Sequence, residues 1–184
     1  MVSEDKLVIT PEVGFSPHLG VLVSTLEWCR EKTIDWVKDL TIYQLDYLYD
    51  ENANSIGALL LHIASLEAAY QEMTFYGRNI LNNPERIQKW RVPMYLGDQA
   101  RREIKGHSVS YYLEELKAIR DQTVEQFRQY DDDWLWQVSS YGSRGQAANN
   151  YWMWYHVYED EINHRGEISW LKSRIPSRSP ADAT

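Results

Sequence analysis

Four stretches of the chain repeat apolar residues with a period near 3.6, and nowhere does the alternation of a half-buried strand persist. A chain patterned this way folds by packing helices on one another. The first stretch opens at Ser16, read as an N-cap with Pro17 at the first helical position, and sets Leu19, Leu22, Leu26, Cys29, Thr33, Val37 and Leu40 on one side. A short helical piece follows at Thr41–Gln44, which has capping-box spacing. The second long helix is expected over about 55–76, with Ile56, Leu59, Leu60, Ile63, Leu66, Tyr70 and Met73 inward and Gly77 as its stop. The third starts near Ser108 or Ser110, carries Tyr112, Leu116, Ile119, Thr123 and Phe127, and is broken by Asp131–Asp133. A Gly/Ser-bearing loop at 141–145 precedes the fourth, expected from about Ala147 to Arg174 and ended by Pro176.

Residues 78–107 hold Pro84, Pro93, Gly97 and Gly106 and keep no period, which reads as a long connection with one short helix. Long connections in compact domains tend to carry or cover a site. The expected architecture is all-α, a four-helix bundle with a long crossover between helices two and three. At 184 residues one core is the expectation, with a single domain over 1–176 and a flexible Ser/Pro-rich tail at 177–184.

Several function classes fall away. A net charge of -8 is the wrong sign for a phosphate-backbone partner, so no nucleic acid is expected. The first residues do not read as a signal peptide, and no run approaches the ~20 apolar residues of a membrane span. The expectation is therefore no membrane and a cytoplasmic location. Cys29 is the only cysteine, which excludes an internal disulfide, a cysteine zinc cluster and a CxxC pair; its apolar stripe makes it a buried, inert thiol. The surplus of 8 Trp and 13 Tyr over 3 Phe suits half-wet surfaces such as pocket walls and subunit interfaces.

On the fourth helix one face reads Val157, Asp160, His164, Ile168, Leu171, Ile175, so an Asp and a His occupy seats that aliphatics fill elsewhere. Four residues apart, their Cβ atoms lie about 5–6 Å from each other, close enough to grip one ion. His62 interrupts the inward row of helix two between Leu59 and Leu66. Two imidazoles and a carboxylate suit Zn, Fe, Ni or Mn and leave positions open for water or substrate. Spacing alone equally allows an i,i+4 surface ion pair beside a hydrogen-bonded core histidine. His156, one turn before Asp160, reads as a further ligand, a support, a substrate-facing group, or a ring packed among Trp152, Trp154 and Tyr155. Glu159, Glu161 and Glu167 read as solvated neighbours, or as substitutes for Asp160 if the helical phase is shifted by one, and His18 and His107 as exposed residues without a role. No GxSxG elbow, phosphate-cradling glycine loop or HExxH motif is present.

The stretches Asn54-Ser55-Ile56 to His62-Ile63-Ala64 and His156 to Ile168 (HVYEDEINHRGEI) resemble, in order and spacing, the helix-two and last-helix motifs of the DinB/YfiT-like superfamily of bacterial metal-binding four-helix bundles. The resemblance covers most of the chain. It implies His62 as the helix-two ligand and His164, before Arg165-Gly166, as the last. Asp160 stands where many members have a histidine, which makes the site harder and more anionic. Similar proteins include transferases that use low-molecular-weight thiols such as bacillithiol or mycothiol, a mycothiol-dependent maleylpyruvate isomerase, and members without an assigned activity. The resemblance thus implies a divalent transition metal, a low-molecular-weight thiol as co-substrate, a small electrophilic substrate and a homodimer. Metal-activated hydrolysis and a non-enzymatic metal-binding or interaction role are the alternatives. Arg165 reads as a holder of a substrate carboxylate or as a surface or inter-subunit ion pair.

Overall fold

In the computed structural model, which describes residues 8–139 and 146–176, the chain is an all-α bundle. Four long helices form it: α1 (Pro17–Val37), α3 (Ile56–Phe75), α6 (Val109–Phe127) and α8 (Asn150–Lys172). Short helices α2 (Ile42–Asp46), α4 (Pro84–Tyr95), α5 (Gly97–Glu103) and α7 (Asp132–Trp136) connect them. The loop expected at 141–145 and the tail expected at 177–184 lie outside the described residues, as do the first seven.

Local chemistry explains most boundaries. Ser55 accepts from Ala58 N–H at the start of α3, Thr41 and Gln44 form the capping box of α2, and Gly77, at φ +60°, lets Arg78 N–H return to the Glu72 carbonyl. Ser16 holds the N-cap position of α1 but does not cap it. The Asp132 carboxylate does so across the fold, accepting from Leu19 N–H at 2.9 Å, His18 N–H at 3.0 Å and the Ser16 hydroxyl at 2.6 Å. The acidic run at 131–133 is thus more than a break: Asp131 caps α7 and Asp132 ties α7 to α1. Between α7 and α8 lies a two-residue antiparallel ladder, Val138 opposite Asn149, that helical periodicity could not announce; α8 accordingly starts at Asn150 with Asn149 as its cap.

The crossover is more structured than one short helix. It holds a single 3-10 turn (Ile80–Asn82) followed by α4 and α5, because Asn83 caps a helix that begins on Pro84. It buries Ile80, Trp90, Ala100 and Ile104.

Buried apolar side chains fall into two clusters. One holds Val37, Leu59, Ile63, Leu116 and Ile168; the other holds Leu22, Leu26, Tyr70, Phe127, Trp154 and Val157. The order in which each helix visits them makes α1 and α8 run one way and α3 and α6 the other, which is why the α3-to-α6 link must be long. Between the clusters every long helix contributes one charge: Arg30, Glu67, Arg120 and Glu161, all at most 4% exposed. Arg30 bonds Glu161 at 2.9 Å and Glu67 at 3.0 Å, Arg120 bonds Glu67 at 2.8 Å, and Thr123 donates to Glu67 at 2.6 Å. Glu161 is therefore buried in an ion-pair square rather than solvated, because its seat four residues after Val157 faces two guanidinium groups that no single helix reveals.

Where α3 and α6 meet they approach closely. A Cβ on Gly57 would sit 2.5 Å from the Tyr112 hydroxyl, and Tyr112 is fully buried. Gly57→Ala is expected to destabilise the protein by about 1–3 kcal/mol through overpacking; a lower urea midpoint at unchanged m-value checks it.

Candidate metal centre

The inward row of α3 carries His62 and the antiparallel face of α8 carries Asp160 and His164. The three meet in the seam between these helices, each half-buried, with one ligand atom apiece lying within 4.8 Å of the others. His62 Nε2 is 3.9 Å from Asp160 Oδ2, and His164 Nε2 is 3.6 Å from Asp160 Oδ1. The two imidazoles stand edge to face with ring centres 4.8 Å apart.

These groups converge without hydrogen-bonding one another. Asp160 Oδ2 is buried and has no hydrogen-bond partner, a costly state for a carboxylate oxygen unless a cation compensates it. A simple surface pair between Asp160 and His164 would leave neither that orphan nor the convergence of His62. A tetrahedral ion with bonds of about 2.0–2.1 Å sets its ligand atoms roughly 3.4 Å apart, so the three side chains, with ligand atoms within 4.8 Å of one another, need only close in slightly to share one.

Both imidazoles are aimed from behind. His62 Nδ1 donates to the Pro93 carbonyl at 2.9 Å, and His164 Nδ1 donates to Glu167 at 3.0 Å. Each bond fixes the tautomer that leaves the Nε2 lone pair facing the seam. The Pro93 bond also explains the crossover: α4 ends two residues later, and Leu96 at φ 52° turns the chain away, leaving a last-turn carbonyl directed at His62. Burial, which favours the neutral ring, holds the His62 pKa below its ordinary value, while the Pro93 bond opposes it. For His164, burial disfavours the charge, but the Glu167 hydrogen bond and the Asp160 carboxylate outweigh it and raise the pKa.

His156 is outside this group. It lies one turn away, with Nδ1 on Glu159 at 3.0 Å and its ring stacked on Trp152. The acidic neighbours divide three ways. Glu159 binds His156 and Tyr155, Glu161 belongs to the core square, and Glu167 supports His164. Of the aromatics on α8, Trp154 is core while Trp152 and Tyr155 are exposed. Arg165 donates to the Cys29 carbonyl at 3.1 Å rather than to a carboxylate. Cys29 itself is 3% exposed, and burial, with Glu161 adding to it, pushes its thiol up to about 11, so it is an inert side chain. His18 binds Asp132, and His107 stacks on Tyr111. The supports Pro93 and Glu167 escape sequence reading because a backbone carbonyl carries no residue signal and a glutamate on a helix surface is the commonest of solvated groups.

The model of the family described as mycothiol-S-transferase matches residues 21–176 of the chain. The chain belongs to the mycothiol-S-transferase family. The match includes both motifs, so all three converging residues and both of their supports lie within family sequence, and it bears out the resemblance to DinB/YfiT-like bundles. Among solved structures, the crystal structure of the conserved protein of locus from Enterococcus faecalis superposes with a TM-score of 0.63 at 12% identity, over 84% of this chain and 95% of that one. At that identity the likeness speaks for the fold. No curated protein matches the chain. Among the described residues no helix is long and apolar enough to cross a membrane.

Proposed function

We propose that the protein is a metal-dependent thiol S-transferase, in which His62, Asp160 and His164 hold a divalent transition metal and a low-molecular-weight thiol is joined to a small electrophile. The observation that carries this reading is the buried, unpartnered Asp160 oxygen between two imidazoles whose other nitrogens are already committed. Membership in the mycothiol-S-transferase family supports the reaction class. A divalent ion at such ligands acts as a Lewis acid that lowers the pKa of a thiol bound to it.

The chain's own residues do the rest. Pro93 and Glu167 hold the two rings in the ligating tautomer, and Asp160 supplies the single negative charge. A ligand set of three leaves room for the thiol sulfur. In the overall change the sulfur forms a bond to the electrophilic carbon, the thiol proton passes to solvent, and the electrophile's leaving group departs or its acceptor atom takes up the charge. The set N, N, O suits Zn, Ni, Fe or Mn.

The test is thiol dependence. Metal-loaded protein is expected to turn over a chromogenic aryl halide only when a thiol is supplied, yielding the thioether by mass spectrometry. Turnover with no thiol present would instead establish the hydrolytic alternative. Glu167→Gln is expected to weaken metal affinity about 10–100-fold while leaving the fold unchanged, because it loosens the support of His164 without removing a ligand; competition with a chromogenic chelator measures it.

A further inference from the structure

Beyond the triad, the seam between α3 and α8 continues by one more turn of each helix. On α3 the row His62, Leu66, Tyr70 advances four residues at a time, and on α8 the facing row runs His164, Asp160, His156. The long side chain of a helical tyrosine leans toward the N-terminus of its helix, so the Tyr70 ring is directed back along α3 toward the His62 side. Its phenol ring meets the His156 ring edge to face at 5.9 Å. His156 is itself fixed, stacked on Trp152 at 5.5 Å and bonded through Nδ1 to Glu159.

Two hydrogen-bonding groups are left over at this end of the seam. Tyr70 is only 6% exposed, but its hydroxyl is not sealed from solvent and bonds to no described residue, so it is free to meet a ligand. With Nδ1 committed to Glu159, His156 has its Nε2 left without a described partner. The negative charges of Asp160 and Glu159 both fall on the Tyr70 phenol and, after burial, help hold it protonated, up to about 12, so it serves as a donor.

We propose that Tyr70 and His156 form a substrate subsite beside the metal centre that takes a neutral group able both to accept and to donate a hydrogen bond, a hydroxyl or an amide carried by the thiol co-substrate. The inference rests on the metal-thiolate reading above and adds to it the residues that select among thiols. Tyr70 O–H donates to the group, and His156 Nε2 accepts from it.

The experiment uses cobalt(II)-loaded protein titrated with ω-hydroxyalkanethiols of two to six carbons, each against the alkanethiol of equal length, with thiolate-to-cobalt absorption as the readout. The wild type is expected to bind the hydroxyl-bearing thiol about fivefold more tightly at one or more chain lengths, the worth of one satisfied hydrogen bond. Tyr70→Phe and His156→Phe are expected to lose that preference while keeping wild-type cobalt content and near-ultraviolet dichroism. An absorption band with no hydroxyl preference at any length, or a preference that survives in Tyr70→Phe, would overturn the subsite alone. Absence of any thiol-dependent band in the wild type would overturn the metal-thiolate reading and the subsite with it.

Discussion

Elemental analysis of the purified protein is expected to find a stoichiometric divalent transition metal in the wild type and none above background in His62→Ala, Asp160→Ala or His164→Ala. Each substitution deletes one of three donors, so affinity should fall by more than the roughly 10–100-fold that follows from loosening a supporting residue. Stability separates this from general damage. Added metal at about 100 times its dissociation constant raises wild-type stability by about 2.7 kcal/mol and leaves the three variants unmoved. Stripped of metal, Asp160→Asn is expected to be at least as stable as the wild type, because it removes a charge whose buried oxygen has no partner. Wild-type protein with no more metal than the variants would end the assignment.

The second large effect lies in the core. Glu67→Gln keeps the shape of a fully buried side chain but removes the carboxylate that both Arg30 and Arg120 contact. Breaking a buried pair from one side costs about 3–5 kcal/mol, since Arg30 is then left with Glu161 and Arg120 with Glu161 at 3.6 Å and the exposed Glu27 at 3.7 Å. Against a typical total of about 5–15 kcal/mol that is a large share. Burial by itself would push the Glu67 carboxyl up, but Arg120 and then Arg30 hold it down at about 2, below its ordinary 4.5. Because the folded value is the lower one, this contribution is fully present above about pH 4.5 and is lost as the pH falls toward about 2. Urea midpoints measured between pH 7 and pH 2 should therefore converge for wild type and Glu67→Gln at the acid end. Replacing Arg30, Glu67, Arg120 and Glu161 together by Met and Leu is expected to recover much of the loss. If Glu67→Gln is neutral at pH 7, the square contributes no stability.

The four long helices and their caps were legible because period and capping chemistry are local. The convergence of His62, Asp160 and His164 was legible for a related reason: each breaks an otherwise apolar row, and two of them share a four-residue spacing. The charged square followed the same grammar and still escaped. Arg30, Glu67, Arg120 and Glu161 each stand four residues after an apolar seat, at Leu26, Ile63, Leu116 and Val157. A single charge at such a seat reads as a helix edge, and only the count across all four helices, two of each sign, marks a buried set. The crossover was least legible, because what shapes it is tertiary: Trp90 and Ile104 are buried by α4 and α5 docking on the bundle, and Pro93 is placed by the bond its carbonyl accepts. No periodicity records an acceptor on the main chain.

Asp160 and Glu161 are neighbours with opposite errands, one toward the seam and the other toward the square. Without α8, Arg30 would keep Glu67 as its only carboxylate partner, and Arg120 would keep Glu67 and the exposed Glu27. α8 supplies the second carboxylate of the square in the same rotational setting that presents Asp160 and His164 to His62. The helix setting that completes the square is thus also the one that brings together the three residues of the candidate metal centre.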